Sequence, residues 1–183
     1  LLSDSRKIML IDGARQIGKT YIIRHVGQKC FENFIEINMV EDSLGDRLFA
    51  NTKTLDDFYL QVSMLAGDRM KEKENTLIFL DEIQEYPGIA TSLKWICIDG
   101  RYDVICSGSM LGINYKRIES NSVGYKSEFA MQSFDFEEFL WACGINDEII
   151  DVLRNSYENI TAVPELIHQQ IMERFRQDRK SVV

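Results

Sequence analysis

The sequence predicts an α/β protein built on a parallel sheet, and three observations carry that reading. Short β-type apolar runs alternate with longer amphipathic stretches, the rhythm in which each helix leads back to a new parallel strand. A glycine-bounded run, Gly13 to Thr20, lies between the first apolar run and the first amphipathic stretch, where such a sheet presents its strand ends. A third apolar run, Thr76 to Leu80, delivers two adjacent carboxylates, Asp81 and Glu82, to the same carboxyl edge.

Lys7 to Asp12 reads as the first strand and Thr20 to Lys29 as the helix after it. Phe34 to Asn38 is the second strand, followed by helical segments over Asp42 to Ala50 and Leu55 to Lys73. Thr76 to Leu80, the most apolar run, is the third. A helix over Ile89 to Ile98 leads to a fourth strand at Asp103 to Cys106, and Tyr125 to Met131 is a weaker fifth. Ser133 then reads as the N-cap of a helix with Glu137 and Glu138 in its first turn, stopping near Gly144. Two more helices follow. The aromatic residues Trp95, Trp141, Phe134, Phe136 and Phe139 fall at helix-face spacings and are expected in the core.

A chain of 183 residues has room for one domain with a sizeable core. Composition turns loop-like near Ser156 to Pro164, which divides an expected core of residues 1–156 from a helical segment, 157–183, read as the start of a lid or of a following domain. A first residue other than Met and a last helix running into a polar end read as a piece of a longer protein. No apolar run approaches the roughly 20 residues of a membrane span, and the start has no secretory core, so a cytoplasmic location and no membrane partner are expected. Cys30, Cys97, Cys106 and Cys143 are scattered without a CxxC pair and read as reduced thiols; with two histidines the chain is poorly equipped for zinc. A net charge of −8 opposes a broad nucleic-acid surface, and the one basic cluster, Arg176 to Lys180, reads as a solvated end.

The chemical signal is strongest at Gly13-Ala14-Arg15-Gln16-Ile17-Gly18-Lys19-Thr20, a full GxxxxGK[ST] match between a strand and a helix. Glycines are needed where a backbone bends sharply and approaches phosphate oxygens closely. Backbone N–H groups and the positive end of the next helix then cradle phosphate, Lys19 reaches the β- and γ-oxygens, and Thr20 offers a hydroxyl to Mg²⁺. At the end of the third strand, Asp81 is expected to hold hydrated Mg²⁺ and Glu82 to polarise the attacking water. Ser107, or failing it Ser109, is expected to contact the γ-phosphate or that water from the end of the fourth strand. ATP and Mg²⁺ are thus the expected ligands, with Lys19, Glu82 and Ser107 as the catalytic set. Gln84 reads equally as a group that orients the water or senses nucleotide, or as an ordinary turn residue.

GARQIGKT, LIFLDEIQ, SGSMLG and SFDFEEFLWA together resemble the prokaryotic P-loop ATPases of the AAA+ superfamily that carry a GARQxGKT Walker A and an LDEIQ Walker B (the AAA domain 14 type), over roughly residues 7 to 144. The resemblance implies a three-layer fold with a sheet of order 5-1-4-3-2 flanked by helices, cytoplasmic ATP binding, and a further C-terminal domain through which a nucleic acid or protein partner would act. Carried over by residue, it assigns Gly13 to Thr20 to phosphates, Asp81 and Glu82 to magnesium and water, and Ser107 to the sensor position. The chain departs from the family in lacking a dependable arginine finger, for which Arg117 and Arg101 are the candidates, and a neighbour's arginine in a homo-oligomer would fill that role. It also lacks a glycine-rich continuation after Phe175. Against ATP hydrolysis stand a P-loop kinase, which would need an acceptor pocket; a GTPase, which would need an NKxD-like segment; and a nucleotide-regulated switch or binding module with little turnover.

Overall fold

A computed structural model describes residues 7–40, 49, 52, 54–70, 75–85, 89–109 and 125–181. Five strands form one sheet: β1 (Ile8–Asp12), β2 (Asn33–Asn38), β3 (Thr76–Asp81), β4 (Asp103–Gly108) and β5 (Lys126–Ala130). All neighbours pair in parallel, in the order β2-β3-β4-β1-β5, which is the expected 5-1-4-3-2 read from the other edge. The connecting helices are α1 (Lys19–Cys30), α2 (Leu55–Ala66) and α3 (Ile89–Asp99). Of the helix expected over residues 42–50, only Phe49 is described, buried in the core. The helix expected over Leu55 to Lys73 ends earlier, at Ala66, because Gly67 at φ 56° turns the chain out of the helix and a 3-10 turn, Gly67–Arg69, follows.

Strand pleating sorts the side chains into two layers. Ile8, Leu10, Ile35, Ile37, Ile78, Leu80, Val104 and Cys106 pack with Phe58, Tyr59 and Val62 of α2 and Leu93 and Ile96 of α3 in one core cluster. The alternate residues Phe34 and Leu77 meet α1 on the opposite face, where a Cβ on Gly27 would fall 2.5 Å from the Phe34 ring and 3.2 Å from Leu77. Helix, sheet and helix therefore make three layers. β3 is buried along its whole length, as a strand covered on both faces must be. α2 starts on a capping box in which Asp57 N donates to Thr54 Oγ1 (3.1 Å) and Thr54 N donates to Asp57 Oδ2 (3.0 Å).

The chain divides into two compact units, Leu1–Gln132 and Ser133–Val183. The second consists of α4 (Phe136–Ala142), α5 (Asp147–Glu158) and α6 (Glu165–Ser181), gathered around Leu140, Ile145, Ile150 and Ile171. The cap of α4 corrects the sequence reading: it is Asp135, not Ser133, whose side chain accepts from Glu138 N at 2.9 Å while Glu138 accepts from Asp135 N at 2.9 Å. The aromatic residues also differ from expectation, since Trp95, Trp141, Phe134 and Phe136 are about half exposed or more. Phe134 precedes α4, and Phe136 stacks one face on Phe175 with ring centroids 6.0 Å apart. Phe139 does pack on the second core, with its ring centroid 4.7 Å from that of Phe175.

All four cysteines are free, and burial pushes the Cys106 thiol up to about 12. Among the described residues no helix is long and apolar enough to cross a membrane.

Candidate functional site

The carboxyl edge of the sheet gathers the loop after β1 and the ends of β3 and β4. Gly13 has φ 153°, and a Cβ there would collide with the carbonyl oxygen of Met131, just past β5. Gly18, the N-cap of α1, sits in the left-handed region at φ 93°, as does Gln16 at φ 64°. These turns carry the chain from β1 straight into α1, whose first residue is Lys19. The Lys19 ammonium curls back over the loop, donating to the carbonyls of Gly13 (2.9 Å) and Ala14 (2.6 Å). Arg15 reaches outward to Glu85 at 3.6 Å.

Thr20, one residue into the helix, donates from Oγ1 to Asp81 Oδ2 at 2.9 Å. Parallel register sets Leu80 beside Cys106, so the next residues, Asp81 and Ser107, are also neighbours. Both are buried, and the Ser107 hydroxyl donates to Asp81 Oδ1, which also accepts from Glu82 N at 3.0 Å. Asp81 is therefore held by three donors from three parts of the chain. Hydroxyl and carboxylate oxygens in contact are the hard donor set that suits Mg²⁺, so Thr20 and Asp81 fit that ion.

Glu82 leaves the strand at φ 56°, and a 3-10 turn (Ile83–Glu85) follows. The Glu82 carboxylate accepts from Gln84 Nε2, and Gln84 Oε1 accepts from Ser109 N at 3.1 Å. The structure thus places Ser109, the second sensor candidate, on Gln84 rather than on an acid, and Ser107 on Asp81.

Asp12 was visible in the sequence only as the last residue of a strand. Its side chain is buried, and Oδ1 has no hydrogen-bond partner among the described residues. Burial, with the negative charge of Glu128 nearby, raises its pKa above the usual 3.8, against the weaker opposing pull of the Gly13 amide, Lys19 and Lys126. A polar residue closing a strand of otherwise apolar inward positions is the one sequence signal that marks it.

Arg101 precedes β4 and so lies at the opposite edge of the sheet from the loop. It is paired with Asp56 and Asp99, each at 2.9 Å, and lies over the Tyr59 ring. Hydrogen bonds to Asp56 and then Asp99 hold its guanidinium protonated above its ordinary range. Arg117 lies outside the described residues.

A five-stranded parallel sheet in this order, with a glycine-bounded loop running into a helix beside two strand-end carboxylates, defines a P-loop nucleotide-binding domain. The family model of an AAA domain matches residues 5–140, well over half of the chain. The chain belongs to that family, whose members are nucleotide-binding domains of ATPase type. Among solved structures it is similar to the S. cerevisiae Hsp104-ADP complex, with a TM-score of 0.48 and 20% identity over 78% of this chain and 22% of that one. It is similar also to C. elegans PCH-2, with a TM-score of 0.44 and 12% identity over 84% of this chain and 41% of that one. The chain spans well under half the length of either. Comparison with curated proteins finds no match.

Proposed function

We propose that this chain binds Mg-ATP and hydrolyses it as the ATPase domain of a larger protein, with Glu82 activating the attacking water. The observation that carries the reading is the 2.9 Å hydrogen bond from Thr20 to Asp81, which joins the end of the phosphate-type loop to the end of β3 across 61 positions. Backbone N–H groups of Gly13, Ala14, Arg15, Gln16, Ile17, Gly18, Lys19 and Thr20 cradle the phosphates at the positive end of α1. Lys19 exchanges its two carbonyl contacts for phosphate oxygens. Mg²⁺ held by Thr20 and Asp81 neutralises charge on the β- and γ-phosphates when bound. Glu82 takes a proton from water as the new oxygen–phosphorus bond forms; the bond from the γ-phosphorus to the bridging oxygen breaks, and its electron pair leaves on ADP. Ser107, already on Asp81, senses the γ-phosphate.

Around this core we place residues 1–156 as the catalytic domain and 157–183 as the start of a lid or further domain. Homo-oligomerisation, a nucleic acid or protein partner reached through a further C-terminal domain, and a cytoplasmic location complete the reading. A second reading, a nucleotide-regulated switch with little turnover, is favoured by one observation: the Glu82 carboxylate is engaged by Gln84.

The experiment that separates them measures Mg-ATP affinity and single-turnover rate in the wild type and in Glu82→Gln. Hydrolysis predicts near-equal affinities and a rate lowered by about 10² to 10⁴, the effect of a lost general base. Equal, near-zero rates in both would favour the switch.

A further inference from the structure

We propose that Gln84 is a positioning residue for the hydrolytic step, tying the Glu82 carboxylate to the end of β4; this rests on the assignment of Glu82 as the base for water. Gln84 is 6% exposed, and both ends of its amide are used in opposite senses. Nε2 donates to Glu82 Oε2, and Oε1 accepts from Ser109 N at 3.1 Å. Of the side chains able to donate and accept across one planar group, a glutamine has the reach and carries no charge to alter the acid it holds.

The surroundings are shaped to this amide. A Cβ on Gly108 would stand 2.9 Å from Gln84 Oε1, so a side chain there would displace the glutamine. Glu82 stands at φ 56°, a region that costs a non-glycine residue about 1 kcal/mol or more, and holds that turn with help from the Glu85 N to Glu82 O bond at 3.0 Å. The amide fixes one carboxylate oxygen, which leaves Oε1 for a proton from water.

The end of β4 thereby reaches both acids. Ser107 donates to Asp81 directly, and two residues on, Ser109 reaches Glu82 through Gln84. Any shift of Ser107 on a γ-phosphate is passed to the base by the same short strand end. A buried glutamine that merely satisfied the Ser109 amide would need no contact with Glu82.

The test measures Mg-ATP dissociation constants and single-turnover rates, on the full chain, for Gln84→Glu and Gln84→Met, each alone and combined with Glu82→Gln. Gln84→Glu retains an acceptor for Ser109 N but replaces the donor with a second carboxylate facing Glu82, so it still breaks the tie to the base and remains informative if Gln84→Met does not fold. The expected result is a rate about tenfold to a hundredfold lower for either single variant, the scale of a misplaced catalytic group, with affinity unchanged within about twofold. In the Glu82→Gln background neither change should lower the rate further. Rates at or above wild type, a parallel loss of affinity, or a loss that multiplies with that of Glu82→Gln would overturn the role of Gln84 alone. A wild type that does not hydrolyse ATP, or a Glu82→Gln variant as fast as wild type, would overturn the base assignment and the positioning role with it.

Discussion

Lys19, Asp81 and Asp12 show how differently buried charges behave at one sheet edge. Of the loop's two cations, Arg15 pairs with Glu85, whereas the Lys19 ammonium donates to neutral carbonyls, which leaves its charge available to phosphate. Lys19→Ala should therefore abolish ATP binding measurable by calorimetry, and unchanged affinity would remove the basis for a phosphate loop. Asp81→Ala should weaken Mg-ATP binding together with turnover, and in the wild type EDTA should lower affinity, since Thr20 and Asp81 act through the ion. Asp12 has the opposite character, because its charge is desolvated and one oxygen is unpartnered. A carboxyl with a raised folded-state pKa binds its proton more tightly folded than unfolded, so its contribution to stability is greatest below the ordinary pKa of 3.8 and is lost as pH rises through the folded value. Asp12→Asn should accordingly raise the melting temperature at neutral pH, with the gain shrinking as the pH falls towards 3.8. A gain that persists unchanged in acid would show that its charge is not the cause.

Among the elements, α1 illustrates how one contact reverses an ordinary preference. In an exposed helix interior, Gly→Ala stabilises by about 0.5–1 kcal/mol. At Gly27 the added Cβ would fall 2.5 Å from the Phe34 ring, which packs on Phe79 and has little room to swing. The helix must then lift from β2 and β3, and overpacking of this kind costs about 1–3 kcal/mol. Gly27→Ala should therefore lower the denaturant midpoint with an unchanged slope, and because α1 carries Lys19 and Thr20, it should weaken nucleotide binding too. A raised midpoint would mean that the helix accommodates the methyl group. The α4 cap is a gentler case: Asp135→Ala should cost about 1 kcal/mol, and Ser133→Ala should cost nearly nothing.

At the scale of the molecule, the described arginines of the first unit are all engaged: Arg15 with Glu85, Arg24 with Glu36, Arg69 with backbone carbonyls, and Arg101 with Asp56 and Asp99. A transition-state arginine supplied by a neighbouring subunit contributes about 10³ to 10⁵ in turnover. Turnover per chain should therefore rise steeply with protein concentration, measured by steady-state ATPase rates across a dilution series. A fast rate that is independent of concentration would place the whole catalytic apparatus in one chain.

The α/β class, the five strands within a residue or two, the loop from Gly13 to Thr20 and the acid pair at 81 and 82 are all legible in the amino-acid order. Each is written in contiguous residues, as an apolar run or a fixed spacing, and local pattern suffices to read it. The sheet order followed from family resemblance, and the parallel pairing in the structure agrees with it. The remaining contacts join residues that chain order keeps apart, and packing alone brings them together. Thr20 meets Asp81 because α1 packs on one face of β3; Ser107 meets Asp81, and Ser109 meets Gln84, because β4 lies beside β3 in register. The choice of Asp135 over Ser133 as a cap turned on backbone angles that two equally good capping residues leave open. The exposed tryptophans and the buried Asp12 turned on which neighbours cover them, and burial is a property of the packed whole, not of any one segment.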